Sequence, residues 1–247
     1  MSYQEFSPSP LLQDYIDTFW ISQDENHLAT FRILPDGFID IVFDLEGSQT
    51  FSNSSIRVVG MMTAYKDVDY RNISKKLGIR FKAGQLNAFT KLPAFLLKNI
   101  AVSASEIHPE FNTILLEKLI TLENWSDQKK MLENLLVELL KQINAPMDSL
   151  LSSVCNTISH NYRAIDLTQI AYDHNISLRQ LERRFKNRVG ITMKEYHSII
   201  RFKKASRSLS NTTNRSLLLT AFDHGYFDHA HLTRDFNKMS GLNPSQF

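Results

Sequence analysis

The strongest constraint on what this chain can fold into is an internal repeat. Ala171-Tyr172-Asp173-His174 recurs as Ala221-Phe222-Asp223-His224, an offset of 50 residues. Leu181, Phe185, Gly190 and Tyr196 recur as Leu232, Phe236, Gly241 and Phe247, an offset of 51. The one-residue change falls at Phe227, inserted in the second copy. A small unit written twice is expected to fold twice in the same way.

The local signals say what the unit is. Asp166 precedes Leu167, with Ile170 and Ala171 at helical spacing, so Asp166 is the expected N-cap of a short helix running to His174. Asn175 follows where a tight turn needs positive φ, and the second copy has Gly225 there. Ser177 and Gln180 have the spacing of a capping box and open a second helix, with Leu181 and Phe185 facing inward. Thr192 and Glu195 repeat that spacing and open a long helix to about Leu209. A short helix, a tight turn and a second helix make a helix-turn-helix. His174 and His224 close the short helices and are expected to cap backbone carbonyls.

In the second helix Arg179, Glu182, Arg183 and Lys186 share one face, opposite Leu181 and Phe185. That face suits the major groove, where Arg pairs with guanine and Glu accepts from cytosine; a solvated helix face would read the same way in one copy alone. The second copy places Ala230, Thr233, Arg234 and Asn237 there, with His229 beside them. The 18 residues Thr192–Leu209 span about 27 Å as a helix, able to hold two such helices near one DNA turn, ~34 Å, apart. Arg201, Lys203, Lys204 and Arg207, with Lys186, are the expected phosphate contacts, giving affinity rather than sequence information.

Charge agrees with this division. The whole chain of 247 residues is only +2. Yet residues 148–247 hold 14 basic and 8 acidic residues, net +6, while residues 1–147 are net −4. A basic back half points to a polyanion. Asn144-Ala145-Pro146 is a plausible linker, so the expected domains are 1–144 and 148–247.

Residues 1–102 read as β-rich. Ile39, Ile41, Phe43 and Leu45 alternate with Asp40, Val42 and Asp44, a half-buried strand. Leu34-Pro35-Asp36-Gly37 separates Phe31–Leu34 from Phe38–Leu45 as an expected hairpin turn. Ile56–Val59 and Leu77–Phe81 are further strands, and Leu11 to Trp20 has a short helical pattern. Residues 105–143 turn helical. One helix covers 111–122 and another 127–143, whose Leu132, Leu136, Leu139 and Ile143 form a stripe that either packs on its own domain or serves a homodimer.

Residues 149–247 resemble the DNA-binding domain of AraC/XylS-type transcription regulators. The likeness rests on Leu167-x-x-Ile170-Ala171, Ser177-x-x-x-Leu181-x-Arg183-x-Phe185-Lys186, Gly190, Tyr196 with Arg201 and Ala205, Ala221-x-x-x-Gly225-Tyr226-Phe227-Asp228, Leu232-x-Arg234-x-Phe236 and Gly241-Leu242-Asn243-Pro244. It implies two helix-turn-helices per monomer in successive major grooves. The family's base-reading positions fall on Arg179, Glu182 and Arg183, then on His229, Ala230, Thr233 and Arg234. Thr220 and Asn175 depart from the pattern. Arg32 to Phe43 and Leu77 to Phe81 resemble a sensor-type domain found on some of these regulators, which implies a β-barrel-like, cupin-related fold with any pocket among the strands.

The expected fold class is therefore α+β: a β-rich domain with a helical extension, then an all-α domain of two helix-turn-helices on a long helix. Trp20, Arg32, Asp40 and Arg80 are candidates to line an effector pocket; Arg32 or Arg80 could instead pair with Asp40 or Asp44. An enzyme is not expected. His27 and His108 are too few and too far apart for a metal site, and the one cysteine, Cys155, reads as a buried small hydrophobe. No cofactor follows. The expected partners are double-stranded DNA, a small-molecule effector, a second copy through 111–122 and 127–143, and RNA polymerase if the protein activates. No apolar run reaches the ~18–20 residues that span a membrane, and a cytoplasmic location is expected. The resulting expectation is a ligand-responsive, sequence-specific regulator; the alternative is a constitutive one whose N-terminal domain only dimerises or binds a protein.

Overall fold

A computed structural model describes residues 2–24, 29–46, 55–70, 74–144, 147–211 and 216–247. His27, Ala145 and Pro146 lie outside the described residues.

Among the described residues the N-terminal region holds eight strands: β1 (Ser2–Phe6), β2 (Ile16–Asp24), β3 (Ala29–Ile33), β4 (Ile39–Asp44), β5 (Ile56–Val59), β6 (Lys66–Tyr70), β7 (Ser74–Phe81) and β8 (Ala101–Ser103). Six form one antiparallel sheet in the order β1-β2-β7-β4-β5-β8, and β3 pairs with β6 as a separate ribbon. The alternation in β4 sets the register. Ile39, Ile41 and Phe43 sit opposite Phe81, Ile79 and Leu77 of β7, and all six are buried. A slip of one residue would turn that set to the other face.

Two local expectations are corrected. Phe31–Leu34 and Phe38–Leu45 do not form a hairpin, because β3 pairs with β6 whereas β4 pairs with β5 and β7. The Leu34–Gly37 segment instead carries the chain from ribbon to sheet. Leu11 to Trp20 is not a helix either. One turn closes from Ile16 N–H to the Leu12 carbonyl (2.8 Å), and the chain then enters β2. An irregularity between Ile16 and Thr18 leaves Ile16, Thr18 and Phe19 all buried, which mimics helical spacing.

Helices α1 (Thr113–Thr121) and α2 (Trp125–Ile143) follow. Leu132, Leu136 and Leu139 have no exposed surface; burying each leucine is worth about 2 kcal/mol. Those three leucines therefore pack on their own domain, while Ile143 of the same stripe is half-buried. Buried Gln128 ties the pair together, its Nε2 donating to the Leu119 carbonyl at 3.0 Å. Asn144 ends α2 in the left-handed region, φ 47°.

The C-terminal region is helical: α3 (Ser149–His160), α4 (Leu167–Asp173), α5 (Leu178–Val189), α6 (Met193–Ser210), α7 (Leu217–Asp223) and α8 (His229–Ser240). The two regions share a continuous apolar core. Gly37 (φ +86°) lets its turn lie against Tyr196 and Ile200 of α6, both 3.4 Å from where a Cβ would sit. Among the described residues no helix is long and apolar enough to cross a membrane.

Candidate nucleic-acid interface

Helices α4 and α5 build the first unit. Asp166 Oδ1 accepts from the Thr168 and Gln169 N–H groups at 2.9 and 3.1 Å, starting α4. Asn175 makes the turn at φ 52°, and Ile176 N–H closes it on the Ala171 carbonyl at 3.1 Å. Ser177 and Gln180 complete a capping box on α5. Leu181, Phe185 and Val189 are buried, so Arg179, Glu182, Arg183 and Lys186 are left exposed. Another long cation of this helix goes elsewhere. Arg184 makes a two-pronged pair with Asp148, Nε to Oδ2 and Nη2 to Oδ1, both 2.8 Å. Asp148 also caps α3, accepting from Leu151 N–H at 3.1 Å. Nothing in the spacing of the sequence signals that pair.

Helices α7 and α8 repeat the plan. Tyr226 N–H closes on the Ala221 carbonyl at 2.9 Å, which makes Tyr226 the counterpart of Ile176. Gly225 (φ +72°) lies so close to Arg163 that an added Cβ would stand 2.0 Å from its carbonyl oxygen. Asp228 caps α8, accepting from His231 N–H at 2.7 Å. Thr220 is buried inside α7 and donates to the Ser216 carbonyl at 3.1 Å. His229, Ala230, Arg234 and Asn237 are exposed, while Thr233 is half-buried and donates back to the His229 carbonyl at 2.9 Å. The histidines that end the short helices meet hydroxyls: His174 lies 3.4 Å from Ser153 Oγ, and His224 3.4 Å from Tyr162 Oη.

Helix α6 corrects one expected phosphate contact, Arg201, and turns a second, Lys203, toward the N-terminal region while leaving it exposed. Arg201 is 7% exposed. Its guanidinium donates to Asp235 Oδ2 at 3.0 Å and to the Gly225 carbonyl at 3.3 Å, and lies 4.2 Å from the Tyr226 ring centre. It fastens α6 to the second unit and is not presented to a phosphate. Lys203 points at the N-terminal region, its Nζ 3.4 Å from the Asp36 carbonyl and 4.6 Å from the Phe38 ring centre. Burial there lowers its pKa, opposed by Asp36. Lys186, Lys204 and Arg207 remain exposed.

Of the residues expected around an effector, Trp20, Asp40 and Arg80 come together on neighbouring strands. Trp20 Nε1 donates to Asp40 Oδ1 at 2.9 Å, and Arg80 Nε donates to the same oxygen at 3.2 Å. Arg80 also reaches Asp36 at 3.3 Å and Glu5 at 3.4 Å. Burial pushes the Asp40 carboxyl up to about 6 despite the opposing Arg80 charge. Arg32 is elsewhere. It forms a two-pronged pair with Asp67 at 2.7 and 2.8 Å, stands 4.3 Å over the Tyr65 ring, and donates to the Ser240 carbonyl at the end of α8 at 3.0 Å. Two surface grooves of about 620 and 630 Å³ open along α3 and between Thr90–Pro93 and Glu106–His108. None of these four side chains lines either groove. Cys155 is buried, and that pushes its thiol up to about 12.

The N-terminal region touches both units at repeat-equivalent points. Gly190 and Gly241 end α5 and α8 in the left-handed region. A Cβ on Gly190 would lie 2.9 Å from the Ala94 carbonyl oxygen, and one on Gly241 would lie 2.7 Å from Tyr65 and 2.8 Å from Arg32. Lys98 adds an ion pair to Glu195 at 2.6 Å. Burial raises the Glu195 carboxyl, but hydrogen bonds from Lys98 and Thr192 hold it below the usual range.

Two helix-turn-helices on a connecting helix, behind a β-rich domain, define the class of module. Residues 170–247 match a family described as a helix-turn-helix domain, and residues 4–103 match one described as a domain of unknown function, DUF6597. The chain is 28% identical over 123 residues to the arabinose operon regulatory proteins of Salmonella typhimurium and Escherichia coli. That alignment covers 47% of this chain but only 43% and 42% of those proteins. Among solved structures, the C-terminal domain of AraT, a response regulator from Geobacillus stearothermophilus, has 23% identity and a TM-score of 0.38 over 41% of this chain and 85% of its own. Fatty-acid-bound ToxT from Vibrio cholerae has 12% identity and a TM-score of 0.48 over 94% and 95%.

Proposed function

We propose that this chain is a sequence-specific DNA-binding transcription regulator. In this reading residues 148–247 enter two successive major grooves and residues 1–144 govern that binding in response to a small effector. One observation carries it. The two units differ at the exposed face of their second helices, Arg179, Glu182, Arg183 and Lys186 against His229, Ala230 and Arg234, although their buried residues repeat. Packing alone would preserve the inside and leave the outside free; reading two different base sets needs a different outside on each copy. Arg179, Glu182 and Arg183 would read one half-site, and His229, Ala230, Thr233 and Arg234 the other. Lys186, Lys204 and Arg207 would contact phosphates.

Selection of bound sequences from a random DNA pool tests the proposal. The expected product is one motif with two half-sites about one helical turn apart, bound more weakly as salt rises. Enrichment of no motif, or of a single short site unaffected by Arg183→Ala, would overturn it. A second reading, in which the N-terminal domain only dimerises or binds a protein, is supported by the way Asp40 takes up both polar side chains, the Trp20 indole N–H by a hydrogen bond and Arg80 by an ion pair. Thermal shift of the full chain against an effector library separates the two. Stabilisation that tracks ligand concentration supports an effector, and silence across the library supports the second reading.

A further inference from the structure

The turns of the two units close through equivalent backbone hydrogen bonds, but the second holds one more residue. Ile176 and Tyr226 both return an N–H to the alanine that starts the turn, Ala171 and Ala221. Ser177 and Asp228 both cap the following helix. The first copy has nothing between those two positions, while the second has Phe227. The fold of the unit therefore does not require this residue, since the first copy closes without it.

Phe227 nevertheless puts a large apolar side chain into solvent. It is 85% exposed, more than any other large hydrophobic residue among the described residues. Its backbone is fixed on both sides, by the Tyr226 hydrogen bond before it and the Asp228 cap after it. The side chain thus stands at the N-terminal end of α8 beside His229 and Ala230, both exposed. In a helix-turn-helix that end meets the base edges. Ala230 and the Thr233 methyl make the same face less charged than its counterpart in α5. The apolar feature that a major groove offers to such a face is the thymine C5-methyl group.

Resting on the DNA-reading proposal above, we propose that Phe227 is a specificity-determining residue that packs on a thymine methyl group in the half-site read by α8. The test starts from the motif selected by the full-length protein. The α8 half is the one whose preferences survive Arg183→Ala. Each thymine there is replaced singly by uracil, which removes the methyl and keeps every hydrogen-bonding group. One position is expected to cost the wild-type protein about fourfold in affinity, the equivalent of one buried methylene. Phe227→Ala should bind the thymine site correspondingly weakly and be indifferent to the uracil exchange, while Phe227→Leu retains part of the dependence. Because the side chain is exposed, neither variant should alter thermal unfolding. The proposal is overturned if the uracil penalty persists in Phe227→Ala, if no thymine position in that half shows one, or if the selected half contains no thymine. Failure of the wild-type protein to select any motif removes the DNA-reading proposal itself, and this inference with it.

Discussion

Arg201 and Arg207 look alike in the sequence, two cations on one basic helix, yet one is buried and the other exposed. Arg207 is exposed, whereas the side chains of Arg201 and Asp235 are 9% and 15% exposed and paired at 3.0 Å. The partner lies on another helix, so no spacing within α6 could show it. Arg201→Ala should lose roughly 3–5 kcal/mol in urea unfolding, because it leaves the Asp235 carboxylate buried and unpaired. Arg183→Ala should stay within about 0.5 kcal/mol of the wild type in the same measurement and lose about 1–3 kcal/mol of DNA binding. Equal stability losses for the two variants would contradict this assignment. Asp40 gives a second residue-scale test. Its folded pKa, about 6, lies above the ordinary 3.8 because it is buried. The native state therefore holds a proton that the unfolded state releases, and this residue makes stability fall as pH rises between about 4 and 6. Stability measured across that window should fall more steeply for the wild type than for Asp40→Asn; parallel curves would show that the carboxyl is not titrating there.

Elements were legible where their signals were local. The caps at Asp166, Ser177 and Thr192, the turn at Asn175 and the alternation of β4 are each decided by a few neighbouring residues, and each element stands where those residues put it. Elements were misread where a distant partner decides. The Leu34–Gly37 segment has turn chemistry, but β3 finds β6 rather than β4. Likewise the leucines of α2 carry no sign of which surface they cover. The solvent-facing side of α5 and α8 was legible because the repeat showed which positions the core needs. The burial of Arg201 was not, since its partner Asp235 lies on α8. The two turns give an element-scale prediction. Gly225→Ala adds a Cβ against the Arg163 carbonyl at positive φ, so it should cost roughly 1–3 kcal/mol or more and lower the melting temperature. Asn175→Gly keeps the same φ region available and should change stability by less than about 1 kcal/mol. An equal loss at both turns would contradict this account, because glycine meets the positive φ at position 175 without strain.

At the scale of the whole molecule, the N-terminal region holds the two units by the ends of α5 and α8 and leaves their outward faces exposed. The hold is built from different chemistry at equivalent places. Gly190 meets a backbone carbonyl beside the Lys98–Glu195 pair, and Gly241 meets the Arg32–Asp67 pair and Tyr65. Those ion pairs are substantially solvated and contribute little to global stability, about 0–1 kcal/mol each. Arg32, however, also satisfies the Ser240 carbonyl, and its removal frees the last turn of α8 from the ribbon. Arg32→Ala combined with Lys98→Ala should therefore leave urea unfolding nearly unchanged while amide exchange accelerates in the last turns of α5 and α8 and at the start of α6. The turns at Asn175 and Gly225 should keep their protection, because Ile176 and Tyr226 close them within each unit. If this hold sets the separation of the two units, the double variant should also tolerate one added base pair between the half-sites better than the wild type. Unchanged exchange at both helix ends would show that the shared apolar core alone positions the units, and the polar grips would then have no part in fixing how far apart they stand.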